Sequence, residues 1–194
     1  MATNNEIEFK QLLTQSQYQS IYKTYFQDVG TFSQTNYYID TPQFDLKANQ
    51  SALRIRVKDD YNEMTLKIPA EVGLMEYNFE TRVVPELNKS ITTQMLPAEI
   101  IEQLEKMDFD LNQLVILGAL TTERLEKEVN GNLLVLDKSE YLNKVDYELE
   151  FEVDSYNEGY EKFKQLLQEF DIKHEKPLNK VQRFFEEKQN ASNK

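Results

Sequence analysis

The chain has 194 residues, 34 acidic and 22 basic, for a formal net charge of -12; 40% of residues are hydrophobic and 29% charged. That length suits one domain, the apolar fraction supports a packed core, and the acidic balance argues against nucleic-acid binding, which depends on neutralising phosphates with Lys and Arg. There is no cysteine, which excludes disulfides and thiolate metal sites. The start, Met1 to Asn5, lacks a signal-peptide pattern, and no apolar run reaches the roughly 18–20 residues of a membrane span. The expectation is a cytoplasmic, soluble chain without a membrane partner.

The organising signal is period-2 alternation of apolar and charged residues, the pattern of strands. It begins at Glu6-Ile7-Glu8-Phe9-Lys10. A helix follows, with Thr14 and Gln17 as a capping box and Tyr18, Ile21, Tyr22 and Tyr25 on one packing stripe. A strand over 35–39 ends at the turn Asp40-Thr41-Pro42. Strands over 53–58 and 64–68 flank a hairpin turn at Asp59-Asp60-Tyr61-Asn62, and another strand covers 76–83. Pro97 suits the first position of a helix reaching Lys106. Strands over 114–118 and 120–129 come next, then the hairpin signal Asn130-Gly131-Asn132 and a strand over 133–137. Residues 147–153 alternate most cleanly. A helix then carries Tyr160, Phe163, Leu167 and Phe170 on one face, with Ser155 and Glu158 as a capping box; a last helix covers 180–188. The predicted organisation is one domain over 1–188 and a polar tail over 189–194.

Each strand taken alone fits an open sheet with one wet face. Together, the charges are sorted by sign. Glu148, Glu150 and Glu152 form one acidic row, Glu6 and Glu8 another, while Arg54, Arg56 and Lys58 form a basic row with Lys67 on the next strand. Ordinary surfaces intersperse signs, because dense like charges repel. Separate rows suit a complex of a hard divalent cation, which takes carboxylate and phosphate oxygens, with phosphates gripped by Arg and Lys. The charged face would then line the inside of a closed barrel, with helices over its apolar outside.

The motifs resemble one family. Glu6-Ile7-Glu8-Phe9-Lys10 matches the ExExK that opens CYTH domains, and Tyr37–Pro42 resembles the tyrosine–aspartate segment after their first helix. Leu53-Arg54-Ile55-Arg56 is similar to the paired-arginine strand and Thr65-Leu66-Lys67 to the TLK strand. Arg124, Asp137 and Glu150-Phe151-Glu152 follow in the family's order, and Asn179-Lys180-Val181-Gln182-Arg183 resembles its SKxxR segment with Asn for Ser. The nearest subgroup is the small CYTH proteins of low-GC Gram-positive bacteria. One departure is Leu74-Met75, where many members carry an arginine.

The resemblance implies an α+β fold, a closed eight-stranded antiparallel β-barrel forming a triphosphate tunnel with helices outside. It implies hydrolysis of a triphosphate-containing small molecule, inorganic triphosphate or a compound such as thiamine triphosphate, with Mg2+ or Mn2+. Metal ligation falls to Glu6, Glu8, Glu148, Glu150, Glu152 and Asp137. Phosphate contact falls to Lys10, Arg54, Arg56, Lys67, Arg124, Lys180 and Arg183. Glu6, Glu8, Lys10, Glu150 and Glu152 form the catalytic set. A covalent nucleophile is unnecessary, since positioning and charge stabilisation carry phosphoryl transfer. Two rivals stay open, a class IV adenylate cyclase and a sensor that binds without turnover, and so does a homodimer. His174, the tyrosines of the first helix and Lys58 have plainer roles in packing or solvation, and Glu76, Glu80 and Arg82 are secondary lining candidates.

Overall fold

The computed structural model describes residues 2–58 and 61–192. Its strands are β1 (Ala2–Leu13), β2 (Phe32–Asp40), β3 (Ala52–Val57), β4 (Asn62–Pro69), β5 (Leu74–Thr81), β6 (Val115–Val129), β7 (Asn132–Tyr141) and β8 (Lys144–Val153). Its α-helices are α1 (Gln15–Ile21), α2 (Asp45–Ala48), α3 (Ala98–Leu104), α4 (Tyr156–Gln168) and α5 (Lys180–Ser192). The strands close into a barrel in the order β1-β5-β4-β3-β2-β6-β7-β8. Among the described residues no helix is long and apolar enough to cross a membrane.

The alternation that marks each strand also decides which face the helices cover. The chain divides into two compact units, one built on Gln34–Leu120 and the other on Glu6–Ser33 with the chain from Thr121 onward. In the first, Ile39, Leu53, Ile55, Met64 and Leu66 leave one sheet face and are sealed by Leu46 of α2 and Ile100 and Leu104 of α3. In the second, Phe9, Leu134, Leu136, Leu149 and Phe151 pack beneath Ile21 and Phe26 on one side and Phe163, Leu166 and Leu167 of α4 on the other. Phe163 stacks on both Phe9 and Phe151, with ring centroids 5.9 and 6.1 Å apart. In each unit the apolar strand face is covered by helices and loops, which leaves the charged residues on the opposite face of the same strands.

Local signals mostly behave as their chemistry requires. Thr14 and Gln17 form the capping box of α1, with hydrogen bonds of 3.2 and 2.8 Å. After Ile21 the helix widens into a π turn over Tyr22–Phe26. That extra residue rotates the stripe, so Phe26 is buried and Tyr22 is exposed. Asn130 and Gly131 have φ of 51° and 76°, the left-handed pair that a two-residue β6–β7 hairpin needs. Asp40 closes β2 by accepting backbone N–H bonds from Thr41, Leu46 and Lys47 at 2.7, 2.8 and 3.0 Å.

Several boundaries differ from expectation. The segments 114–118 and 120–129 are one strand, β6, because burial alternates without a break from Ile116 to Arg124 and Gly118 interrupts nothing. Pro97 is the residue before α3, its extended ψ of 145° placing it outside the helix. Ser155 caps α4 by position without a side-chain hydrogen bond. Helix α5 runs beyond 188 to Ser192. The β7–β8 hairpin turns at Leu142 and Asn143 with φ of 45° and 64°, a conformation that Leu does not advertise. Asp59 and Asp60 of the expected β3–β4 turn lie outside the described residues; Lys58 N–H donates to the Tyr61 carbonyl at 3.1 Å.

Candidate functional site

Cross-strand register builds three charged rows in the second unit. Arg124 of β6 faces Asp137 of β7, which faces Glu148 of β8. One step along, Glu150 faces Lys10 of β1, and a further step brings Glu152 opposite Glu8. The last pair sets two carboxylates directly across a strand pair, which is destabilising unless a cation lies between them.

These rows give two carboxylate trios, Glu6–Glu8–Glu152 and Asp137–Glu148–Glu150, each with ligand oxygens within 4.8 Å of one another. Their electrostatics differ. Arg124 grips Asp137 with a fork of 2.8 and 2.7 Å and reaches Glu150 at 2.9 Å. Lys180, at the first position of α5, meets Asp137 at 2.7 Å and also contacts Glu148 and Glu150. Arg183 donates to Glu148 at 2.7 Å, to Asp146 at 3.0 Å and to the Leu178 carbonyl at 2.6 Å. Burial works against ionisation of Glu150, but Lys180, Lys10 and Arg124 hold it well below the usual carboxylate range. Burial pushes Glu148 up against the pull of Lys180.

In the first trio Lys10 lies 2.6 Å from Glu8, and it also reaches Glu150 at 3.6 Å. Burial, and then the charges of Glu6, Glu8 and Glu150, push Glu152 up to about 7. Three converging, electrostatically crowded carboxylates are the donor set that a hard divalent ion takes, so these residues fit the metal.

The first unit carries its own polar rows, Tyr38–Arg54–Thr65–Asn78, Asn36–Arg56–Glu63–Glu80 and Ala52–Lys67–Glu76. Arg56 Nε donates to Asn36 at 3.0 Å, Thr65 bonds Asn78 at 2.7 Å, and Lys67 pairs with Glu76. Arg54 Nε is buried without a hydrogen-bond partner. A buried guanidinium N–H left unbonded is costly, which makes Arg54 a donor awaiting an acceptor.

The CYTH domain model matches residues 4–185. The chain belongs to the CYTH domain family. It is 40% identical over 192 residues to "Putative triphosphatase YjbK" of Bacillus subtilis (strain 168), an alignment covering 98% of this chain and 100% of that protein. A crystal structure of a "putative adenylate cyclase" from Bacillus halodurans superposes with a TM-score of 0.82 at 31% identity, covering 95% of this chain and all of the other. A "putative adenylyl cyclase" from Hippeastrum, described as revealing a dominant triphosphatase activity, shares the fold, with a TM-score of 0.70 at 23% identity over 93% of this chain and 95% of the other.

The CYTH motif residues of the second unit, from Glu6 to Arg183, are thus brought together on the charged faces of β1 and β6–β8 and the first turn of α5. The Asn that replaces Ser in the SKxxR segment keeps the capping chemistry: Asn179 accepts from Gln182 N–H at 2.9 Å and Gln182 returns a bond to Asn179 N–H at 3.0 Å. Where many CYTH members carry arginine, Met75 pairs with Ile68 beside the Lys67–Glu76 pair. Sequence reading missed Asp146, which lies in the same alternating row two residues before Glu148. Its Oδ2 accepts from Arg183 and, at 2.6 Å, from Tyr141. His174 has a packing role. Its Nδ1 meets Gln11 at 3.0 Å, its ring edge rests on Phe163 at 5.2 Å, and burial lowers its pKa.

Proposed function

We propose that this chain is a divalent-metal-dependent triphosphatase acting on inorganic triphosphate or a triphosphorylated small molecule. The observation that carries the reading is the Glu6–Glu8–Glu152 trio, where burial and then the neighbouring carboxylates raise Glu152 to about 7. The likeness to the "Putative triphosphatase YjbK" supports the reaction class. Glu6, Glu8 and Glu152 would hold Mg2+ or Mn2+, which would supply charge neutralisation at phosphate oxygens and water activation.

The chain's own residues do the rest. Glu150, kept anionic by its cations, fixes Lys10 and Arg124 by charge. Arg54, with its unbonded Nε, Arg56 and Lys67 are the proposed phosphate grips, with Lys10 and Arg124 contributing from the acidic rows. Arg forks and Lys point charges suit phosphate oxygens, and charge placed before reaction needs no reorganisation during it.

A cyclase is the second reading, favoured by the name of the Bacillus halodurans relative. The test incubates the pure protein and Mg2+ or Mn2+ with tripolyphosphate, thiamine triphosphate and ATP, and follows phosphate, pyrophosphate and cyclic AMP. Metal-dependent phosphate release, abolished by chelator and reduced sharply in Glu150→Gln, is the expected result. Cyclic AMP with pyrophosphate would make the chain a cyclase. Binding without turnover would make it a sensor.

A further inference from the structure

We propose that the Lys180 ammonium is the resident cation of the Asp137–Glu148–Glu150 trio, so the folded chain offers a divalent ion one carboxylate site, and a second opens only when that charge is removed. The proposal rests on reading the Glu6–Glu8–Glu152 trio as the metal site.

The first argument is hydrogen-bond capacity. An ammonium has three N–H donors and no acceptor. Lys180 Nζ meets one oxygen of each carboxylate in the trio, at 2.7 Å for Asp137 and in direct contact with Glu148 and Glu150. No donor remains for a phosphate while this arrangement holds.

The second argument is that the trio is saturated. Asp137 Oδ1 and Oδ2 take the Arg124 fork, Glu150 Oε2 takes Arg124 Nη2, and Glu148 Oε2 takes Arg183 Nη1. Asp137 Oδ2, Glu148 Oε1 and Glu150 Oε1 converge on Lys180. Every carboxylate oxygen of this trio therefore faces a protein cation. In the other trio, Lys10 meets Glu8 at 2.6 Å.

The third argument concerns placement. A lysine in the first turn of a helix opposes the helix dipole, which favours anions there. Helix α5 nevertheless begins with Lys180 and has no acid in its first turn. The Asn179–Gln182 capping box fixes the start of the helix and so the origin of the Lys180 side chain. The arrangement makes sense if the compact ammonium occupies the position a metal ion would take among three carboxylates.

Titration with Mn2+ alone, free of any phosphate compound, tests this. Bound ion is counted by calorimetry and by loss of the free-ion electron paramagnetic resonance signal. Wild type should bind one ion per chain, lost in Glu152→Gln. Lys180→Met, shown folded by circular dichroism, should bind two, while Lys180→Arg should keep one. Two ions in wild type, or one in folded Lys180→Met, would overturn the proposal. If Lys180→Met does not fold, the wild-type count decides, because two ions there show the Lys180 trio open to metal. Wild type binding no ion would overturn the metal-site reading and the one-site count together, while a single ion gained in Lys180→Met would still show Lys180 holding its own trio closed. Because turnover is not measured, a failed triphosphatase assay leaves the result unaffected.

Discussion

Replacing Arg124 with Met tests whether the buried network holds the second unit together. The change keeps an unbranched apolar stem and removes two hydrogen bonds to Asp137, which is fully buried, and one to Glu150. Removing one partner of a buried ion pair costs about 3–5 kcal/mol, because the remaining charge is left uncompensated. Lys180 stays on Asp137 at 2.7 Å, which argues for the lower figure. For a domain of this size about 3 kcal/mol corresponds to a fall of roughly 6–12 °C in Tm. The pH dependence has a definite sign. Glu150 is held well below the usual range by Lys180, Lys10 and Arg124 against its burial. A carboxyl of lowered folded pKa stabilises the fold at neutral pH and loses that contribution as pH falls through the folded value. Without Arg124 that lowering weakens, so the deficit of the variant relative to wild type should hold from pH 7 to about 5 and shrink as pH falls further, below the ordinary carboxylate value. Metal-free thermal melts of both proteins across that window measure it. A Tm within about 2 °C of wild type at pH 7, or a deficit that grows on acidification, would refute the reasoning.

Arg54→Met should behave in the opposite way. Its Nε has no partner to lose, so the melting temperature should hold or rise. Tripolyphosphate affinity should drop about 10- to 150-fold, the worth of a charge-assisted contact of roughly 1.5–3 kcal/mol; unchanged affinity by calorimetry removes Arg54 from the binding set. Mn2+ affinity should strengthen up to about tenfold per pH unit below 7 and level off above it, because Glu152, raised to about 7, must release its proton to bind. The same raised pKa means the metal-free fold binds a proton more tightly than the unfolded chain, so this group's contribution falls as pH rises from the ordinary carboxylate range towards 7. A flat Mn2+ titration between pH 5.5 and 8 would exclude that assignment. Gly159→Ala should lower Tm by several degrees: its Cβ would stand 2.5 to 2.8 Å from Val153 side-chain carbons. Overpacking of about 1–3 kcal/mol against a stiff β-branched neighbour outweighs the roughly 1 kcal/mol gained by replacing Gly in a helix, and a raised Tm would show that α4 can shift off β8.

Much of the architecture was legible in the chain because it is written in short-range chemistry. Period-2 alternation located the strands, Thr14–Gln17 placed the start of α1, and Asn130-Gly131 marked a hairpin through its need for positive φ. What escaped was set by neighbours distant in sequence. The π turn that exchanges Tyr22 for Phe26 is chosen by the apolar pocket under Ile21 and Phe163. Leu142 adopts φ of 45° because β7 and β8 are already paired on either side of it. The short helix α2 forms where Asp40 collects the N–H groups of Leu46 and Lys47.

For the charged residues the division is sharper. Alternation by itself determined that Glu6, Glu8, Glu148, Glu150 and Glu152 share strand faces, because side chains two apart always point the same way. Which acids meet which cations was decided by the tertiary structure alone. Strand register set Arg124 against Asp137 and Glu8 against Glu152, and the first turn of α5 delivered Lys180 from about thirty residues beyond its partners Glu148 and Glu150. That is why two trios of carboxylates differ in character. Charge is a property of each residue, but neutralisation depends on distances that only the closed sheet and its last helix define.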